Sequence, residues 1–174
     1  AVVVNFNPLY SPHEVHHQIT DAGIDTIISL DVTTCYDKLQ GVIAEGLLKR
    51  VIVVSMAEEL PKLQSVLFQI FKRGTLAKIP HNAQHIEFSS LFENDGKPAP
   101  VKISPRDTAL LQYTGGTTGV PKAAELSHAN ISVNTEQSAL WFYDIKPGLE
   151  KMLGVLPFFH AFANITVLNF AVYY

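Results

Sequence analysis

Residues 113–122 read Tyr-Thr-Gly-Gly-Thr-Thr-Gly-Val-Pro-Lys, and this stretch indicates both a local fold and a type of ligand. Glycine lets the backbone turn tightly and approach a bound molecule closely. Successive backbone N–H groups in such a turn form a concave site for an anion. The threonine hydroxyls add hydrogen-bond donors, and Lys122 adds a point charge suited to phosphate. The stretch therefore predicts a loop that holds the phosphates of a nucleotide.

The spacing of the stretch separates it from two common phosphate motifs. In the usual P-loop the lysine follows a glycine directly, whereas here Val120 and Pro121 stand between Gly119 and Lys122. The chain also contains no Gly-x-Gly-x-x-Gly, so a dinucleotide fingerprint is excluded. Composition alone leaves open a hairpin rich in glycine and threonine that binds nothing.

The wider segment 110–128 resembles the phosphate-loop signature of the adenylate-forming enzymes, and its wording is most like that of bacterial long-chain fatty acid–CoA ligases. Two flanking segments, 1–10 with its Asn-Pro and 156–162 with its Pro-x-x-His, are similar to motifs of the same superfamily in the same order. Two positions depart from the broad pattern. Gly115 stands where many members have Ser, and Ala123 stands where a Gly usually follows the lysine.

The resemblance implies an ATP site in the glycine-rich stretch. It assigns contacts with the ATP phosphates to Thr114, Gly115, Gly116, Thr117, Thr118, Gly119 and Lys122. It also implies that Thr114 touches Mg²⁺. Because phosphoryl chemistry depends mainly on positioning and on charge neutralisation, these are the groups that such a reaction requires.

The resemblance further places His160 and Phe159 near the acyl substrate. His160 is expected where a strand gives way to a helix, a frequent position for ligand contacts. A buried histidine bonded to a neighbour is the alternative for His160. Phe158, Phe159 and Phe162 are expected either to line an apolar tunnel or simply to pack in the core.

The reaction implied by the resemblance uses a fatty acid, ATP and coenzyme A as partners. A carboxylate becomes an acyl-AMP, and the thiol of coenzyme A then takes the acyl group. Adenylation of an aryl or amino acid carboxylate, and a noncatalytic nucleotide-binding module, remain alternatives. Because the family's adenine, ribose and C-terminal catalytic motifs are not found, we expect the chain to be part of a longer protein. We expect it to need its remaining N- and C-terminal portions for activity.

Composition narrows the possible partners and the compartment. The 174 residues are 47% hydrophobic, which allows a sizeable core. A net charge of −3 without a basic block argues against nucleic acid. The single Cys35 and the absence of a signal peptide favour the cytoplasm, and association with the inner membrane is left open.

The uncharged tail from Met152 to Tyr174 is long enough for a membrane span. Pro157 and His160 interrupt it, and no cationic flank follows, so a buried strand and helix are the favoured interpretation.

The order of apolar segments predicts an α/β fold with parallel strands. Residues 1–75 are expected to form a βαβ subdomain with strands near 2–6, 26–30 and 51–54. Its first helix is expected to begin at a capping box of Ser11 and Glu14 and to stop at Gly23. A further helix is expected from about residue 61 to residue 72, with an apolar side made of Leu63, Val66, Leu67, Ile70 and Phe71. Residues 76–107 are expected to be an irregular connection, and 108–174 part of a second subdomain that carries the phosphate loop. There we expect a hairpin of 108–112 with 123–126, a helix capped by Ser127 and a strand at 153–156.

Five histidines form two clusters in the sequence, and His13 and His17 have the one-turn spacing of a metal site. No cysteine or acidic residue completes a ligand set, so solvated helix faces are the favoured interpretation for both clusters.

Overall fold

The computed structural model describes residues 1–114, 121–142 and 144–174, and it divides the chain into two compact units. One unit spans Pro8–Ala99, and the other combines Ala1–Asn7 with Pro100–Tyr174. They are called the 8–99 unit and the 100–174 unit below. The mixture of helices with parallel strands confirms the predicted α/β class.

The strands, in chain order, are β1 (Val3–Val4), β2 (Thr26–Leu30), β3 (Arg50–Val54), β4 (His85–Glu87), β5 (Thr108–Thr114) and β6 (Lys122–Ser127). The α-helices are α1 (Pro12–Ala22), α2 (Thr33–Tyr36), α3 (Gln40–Ala44), α4 (Lys62–Phe71), α5 (His128–Leu140), α6 (Ala161–Ala163) and α7 (Phe170–Tyr173). A π-helical segment, Asn164–Asn169, joins α6 to α7.

The 8–99 unit is built on a parallel sheet in the order β2-β3-β4. Ile27 pairs with Val51, which in turn pairs with His85, and Val51 is fully buried. Parallel strands need crossover connections. Helices α2 and α3 lie in the connection from β2 to β3, and α4 lies in the connection from β3 to β4, whereas α1 precedes β2. The sheet confirms the strands predicted at 26–30 and 51–54.

Helix α1 forms where the sequence signals predict it. The Ser11 side chain accepts a hydrogen bond from the Glu14 N–H, and the Glu14 carboxylate accepts one from the Ser11 N–H at 2.7 Å. Gly23 ends the helix in the left-handed conformation with φ 63°, which a glycine adopts without steric cost. Val15 and Ile19 are buried and attach the helix to the core.

The 100–174 unit contains a second sheet in the order β1-β5-β6. Strand β1 is parallel to β5, with Val3 opposite Leu110, and β5 is antiparallel to β6. Leu110 and Tyr113 are buried, as are Ala139 of α5 and Phe170 of α7. The β5–β6 pairing confirms the predicted hairpin.

The predicted β-α-β-α-β order is wrong in its first strand, because β1 joins β5 and not β2. An apolar pattern indicates that a segment pairs, but it does not identify the partner strand. The contact-defined units consequently divide at 7/8 and 99/100, whereas the segments expected from the sequence were 1–75, 76–107 and 108–174.

Two further expectations require correction. The segment 76–107 is not wholly irregular, since β4 completes the parallel sheet at residues 85–87. Three residues are too few to show a strand periodicity. No strand forms at 153–156 in the described part of the chain, where Leu153 is 84% exposed and has no strand beside it. In the described ranges, none of the helices has the length and apolar character that crossing a membrane requires.

Candidate active site

The β5–β6 hairpin positions the two described ends of the glycine-rich stretch. Thr114 is the last residue of β5, Lys122 is the first residue of β6, and the two are directly paired. The Thr114 hydroxyl donates to the Lys122 carbonyl at 3.3 Å. Both residues are exposed. The predicted contacts at Gly115, Gly116, Thr117, Thr118 and Gly119 lie outside the described residues.

The Thr114 hydroxyl suits the predicted contact with Mg²⁺ in its chemistry. Its proton is directed to the Lys122 carbonyl, so the lone pairs of Oγ1 remain available to a cation. Mg²⁺ commonly takes one or two protein oxygens and completes its shell with phosphates and water. Over the described ranges, no group of three His, Cys, Asp or Glu side chains could form a metal site by itself. Thr114 therefore fits a metal that is held chiefly by its nucleotide.

Lys122 presents an exposed ammonium at the start of β6. No ion pair to it occurs among the residues that the structure describes. The acidic residue of the same strand, Glu125, accepts a hydrogen bond from the Thr108 hydroxyl near the other end of the hairpin. The Lys122 charge is thus available to an anionic ligand, and it is not neutralised by its own strand.

Gln112 connects β5 to the segment that carries Phe159 and His160. Its Nε2 donates to the Phe159 carbonyl at 3.1 Å. Because side chains alternate along a strand, Gln112 and Thr114 lie on the same face of β5. The segment with Phe159 is therefore on the face to which Thr114 belongs. The structure brings together, within one unit, the described ends of the predicted phosphate loop and the predicted acyl-side residues.

His160 ends the extended segment before α6, with φ −81° and ψ 135°. Its carbonyl accepts from the Asn164 N–H at 2.9 Å, and its ring lies 4.4 Å from the Phe159 ring between centroids. The side chain is exposed, so the alternative of a buried histidine is wrong. Phe158 and Phe162 are 45% and 65% exposed, which also excludes them from the core of the described chain. Substrate binding by His160 and Phe159 remains a prediction.

Three side-chain amides that were not predicted as site residues, those of Gln112, Asn164 and Asn169, support this segment. Besides Gln112, the Asn164 side chain donates to the Phe158 carbonyl at 3.4 Å. Asn169 donates to the Asn164 carbonyl at 2.7 Å, across the π-helical turn. Such turns are often found at functional sites. The sequence signals that could have identified them are the amide of Gln112 inside the apolar run of β5 and the five-residue spacing of Asn164 and Asn169.

The expectation that both histidine clusters lie on solvated helix faces is wrong for His85, which belongs to strand β4 and is partly buried. His16 Nε2 lies 2.8 Å from the Glu45 carboxylate. His85 lies between Tyr36 and Asn82, at 2.7 Å from each of their oxygens, and burial lowers the pKa of His85. A cavity of about 430 Å³ adjoins His85 and includes Asp31 and Ser55, which follow β2 and β3. None of the predicted site residues lines it.

Comparison with known proteins identifies the family. The AMP-binding enzyme family matches residues 1–174. A long-chain-fatty-acid–CoA ligase of Bacillus subtilis (strain 168) is 35% identical over 176 residues, which cover 99% of this chain and 31% of that protein. A long-chain-fatty-acid–CoA ligase of Escherichia coli O157:H7 is 36% identical over 93% of this chain and 29% of its own length.

A solved structure supports the fold. The crystal structure of ATP-bound MatB from Rhodopseudomonas palustris superposes with a TM-score of 0.64, at 21% identity, over 99% of this chain and 28% of that one. The chain thus spans about a third of the length of the curated relatives that it matches. From the family match over its whole length and from these likenesses, the chain belongs to the AMP-binding enzyme family.

Proposed function

We propose that the protein containing this chain activates a fatty acid with ATP and transfers the acyl group to coenzyme A. The observation that carries the proposal is the β5–β6 hairpin, which pairs Thr114 of β5 with Lys122 of β6 and bonds the Phe159 carbonyl through Gln112 of β5. The two ligase relatives, each at least 35% identical, support a fatty acid as the carboxylate substrate.

The first step joins a carboxylate oxygen to the α-phosphorus of ATP and breaks the bond between the α-phosphorus and the bridging oxygen. Pyrophosphate leaves with the electron pair of that bond, so negative charge increases on the leaving oxygens. The Lys122 ammonium offsets this charge, and the hairpin presents it without a competing ion pair from the described residues. Mg²⁺, when bound with the nucleotide, would supply further charge neutralisation, and Thr114 would be its contact in this chain.

The second step breaks the bond between the acyl carbon and the phosphate oxygen, forms a thioester and releases AMP and a proton. Within this chain, Phe159 and His160 are the groups assigned to the acyl side. Their role is to position the acyl carbon near the nucleotide, because both belong to a segment held by Gln112 and Asn164.

The proposed setting is the cytoplasm, with peripheral association at the inner membrane. A fatty acid partitions strongly into the bilayer, so an enzyme that collects it benefits from contact with that surface. The described chain has no helix able to cross a membrane, and the association proposed is therefore at the interface.

The test uses the intact protein and measures pyrophosphate release and acyl-CoA formation with a panel of carboxylates. Fatty acids are expected to support both, and Lys122→Ala is expected to reduce both. The exposed Lys102→Ala in the same unit serves as the control. Turnover only with an aryl or amino acid would contradict the assigned substrate, and nucleotide binding without turnover would contradict the enzymatic assignment.

A further inference from the structure

Helix α4 presents an apolar face that the described chain does not cover. Leu63 is 74% exposed and Phe71 is 77% exposed. The full face consists of Leu63, Val66, Leu67, Ile70 and Phe71, and each of these side chains is exposed. None of the residues of α4 is buried. Contiguous apolar surface of this kind usually indicates an interaction site.

The orientation of α4 is opposite to that of an ordinary surface helix. At roughly 100° per residue, the five apolar side chains occupy an arc of about 140°. The two partly buried residues of the helix, Ser65 and Phe68, lie outside this arc. A surface helix normally turns its apolar stripe toward the core, whereas α4 turns it toward solvent.

The surroundings of this face carry positive charge. Residues 61–84 include Lys62, Lys72, Arg73 and Lys78 and contain no Asp or Glu, although the chain as a whole has a net charge of −3. All four cations are exposed. Exposed Glu58 and Glu59 precede the helix beside Lys62, so the excess positive charge lies at its C-terminal end, where Lys72, Arg73 and Lys78 follow.

The segment that follows α4 is fixed to the sheet of the 8–99 unit. The Thr75 hydroxyl donates to the Lys72 carbonyl at 2.7 Å, and the Ala77 N–H donates to the Asp31 carbonyl at 2.8 Å. Leu76 forms a bridge with Val32 just after β2. These contacts hold the cations at the C-terminal end of α4 in place beside the apolar face.

We propose that α4 binds an anionic lipid bilayer, with its axis in the plane of the interface. The apolar face enters the boundary between headgroups and acyl chains, and the four cations contact lipid phosphates. With 10 residues, α4 is too short to span the bilayer. The cations at the C-terminal end of α4 complement an anionic headgroup layer, so charge complementarity favours lipid.

This inference deepens the proposed peripheral membrane association and does not depend on the ligase reaction. It is tested by sedimenting the intact protein with vesicles of phosphatidylcholine alone or mixed with phosphatidylglycerol. Binding is expected to the mixed vesicles and to weaken with added salt. Because each surface cation contributes about fivefold to binding, the pair Lys72→Gln and Arg73→Gln should reduce it by more than tenfold.

The apolar contribution is tested with Leu63→Ser and Phe71→Ser together, which should also reduce binding by at least about tenfold. Matched controls away from α4 are Lys97→Gln with Lys102→Gln for charge and Val101→Ser with Ile103→Ser for exposed apolar area. The control pairs should bind as the unsubstituted protein does.

Pyrophosphate release with a short, water-soluble fatty acid separates the two proposals. Unchanged ligase activity in protein that does not bind the mixed vesicles would overturn the lipid surface alone. Vesicle binding that depends on α4 in a protein without ligase activity would overturn only the proposed function. Equal binding by all variants would show that another surface binds lipid. A fall in the free energy of unfolding for the α4 pairs would show that protein covers this face.

Discussion

The two units use their polar side chains in different ways. In the 8–99 unit, polar groups mostly hold the backbone together: the Asp31 carboxylate accepts from the Met56 N–H, and the Gln84 amide donates to the Leu48 carbonyl. In the 100–174 unit, Thr114, Lys122 and His160 are exposed at the ends of strands and at the start of a helix. The polar contacts of the first unit stabilise its own backbone, whereas the function proposed above places its chemistry in the second unit.

The largest effect is expected from Lys122→Ala in the intact protein. Loss of a positive charge directed at a developing negative charge typically costs about 10² to 10³ in rate. The rate of pyrophosphate release should fall by that factor, whereas the free energy of unfolding should change by less than about 0.5 kcal/mol because the side chain is exposed. Partial recovery in Lys122→Arg would confirm the role of charge. An unchanged rate in Lys122→Ala would remove the distinction between the units.

The second effect concerns the core of the 8–99 unit. Ile19 is 1% exposed, and Ile19→Ala should reduce the free energy of unfolding by about 3 kcal/mol through lost burial and a residual cavity. Ile28→Ala on β2 is the matched control, since Ile28 is 60% exposed and should cost less than about 1 kcal/mol. Urea denaturation measures both. Equal costs at the two positions would contradict the assigned core.

A smaller effect compares helix caps in the two units. Ser11 caps α1 with Glu14, and Ser127 caps α5 with Asn130, through the same reciprocal hydrogen bonds. Ser11→Ala and Ser127→Ala should each cost about 1 kcal/mol in urea denaturation. The stability costs of the two substitutions should differ in how they change at acidic pH. A strong dependence on pH at both caps, or at neither, would contradict this difference.

The acid dependence follows from the pKa of Glu14. The hydrogen bonds that its carboxylate accepts from the Ser11 backbone and side chain lower that pKa below its ordinary value of 4.5. A lowered pKa contributes stability above the unfolded value, and this contribution is lost as the pH falls through the folded value. The cost of Ser11→Ala should therefore shrink at low pH, whereas the cost of Ser127→Ala should not, because Asn130 does not titrate.

The smallest effect is a pH dependence at His85. Asn82 Oδ1 can only accept, so His85 Nδ1 carries the hydrogen and Nε2 accepts from the Tyr36 hydroxyl. Burial lowers the pKa of His85 below 6.5, and the unfolded chain consequently binds the proton more readily. Stability should fall as the pH drops from about 6.5 toward the folded pKa. His85→Gln should flatten this part of the urea-midpoint profile, while His13→Gln should leave it unchanged.

Local patterns predicted much of the secondary structure. Ser11, Glu14 and Gly23 marked both ends of α1, because caps depend on residues within a few positions of one another. The strand at 26–30 and the β5–β6 hairpin were also predicted, because their signals likewise depend on residues that are close in sequence. The short β4 and the absence of a strand at 153–156 were not, since pairing depends on distant partners.

The candidate site was predicted in its residue types but not in its connections. Thr114 and Lys122 followed from the glycine-rich stretch, and the structure pairs them. The hydrogen bond from Gln112 to Phe159 joins residues 47 positions apart, and no local pattern announces it. The outward-facing apolar stripe of α4 was also unexpected, because periodicity locates a stripe but does not say which side it faces.

The sequence by itself determined the helix caps, the pairing of β5 with β6 and the family, all of which depend on residues close together in the chain. Only the tertiary structure decided that β1 pairs with β5 and not with β2, that Gln112 bonds the Phe159 carbonyl and that the apolar face of α4 is exposed to solvent. The physical reason is that these features depend on which distant surfaces are buried against one another. Burial of apolar surface is favourable for any well-packed contact. Which segments pair is therefore set by the free energy of the whole fold and not by either segment alone.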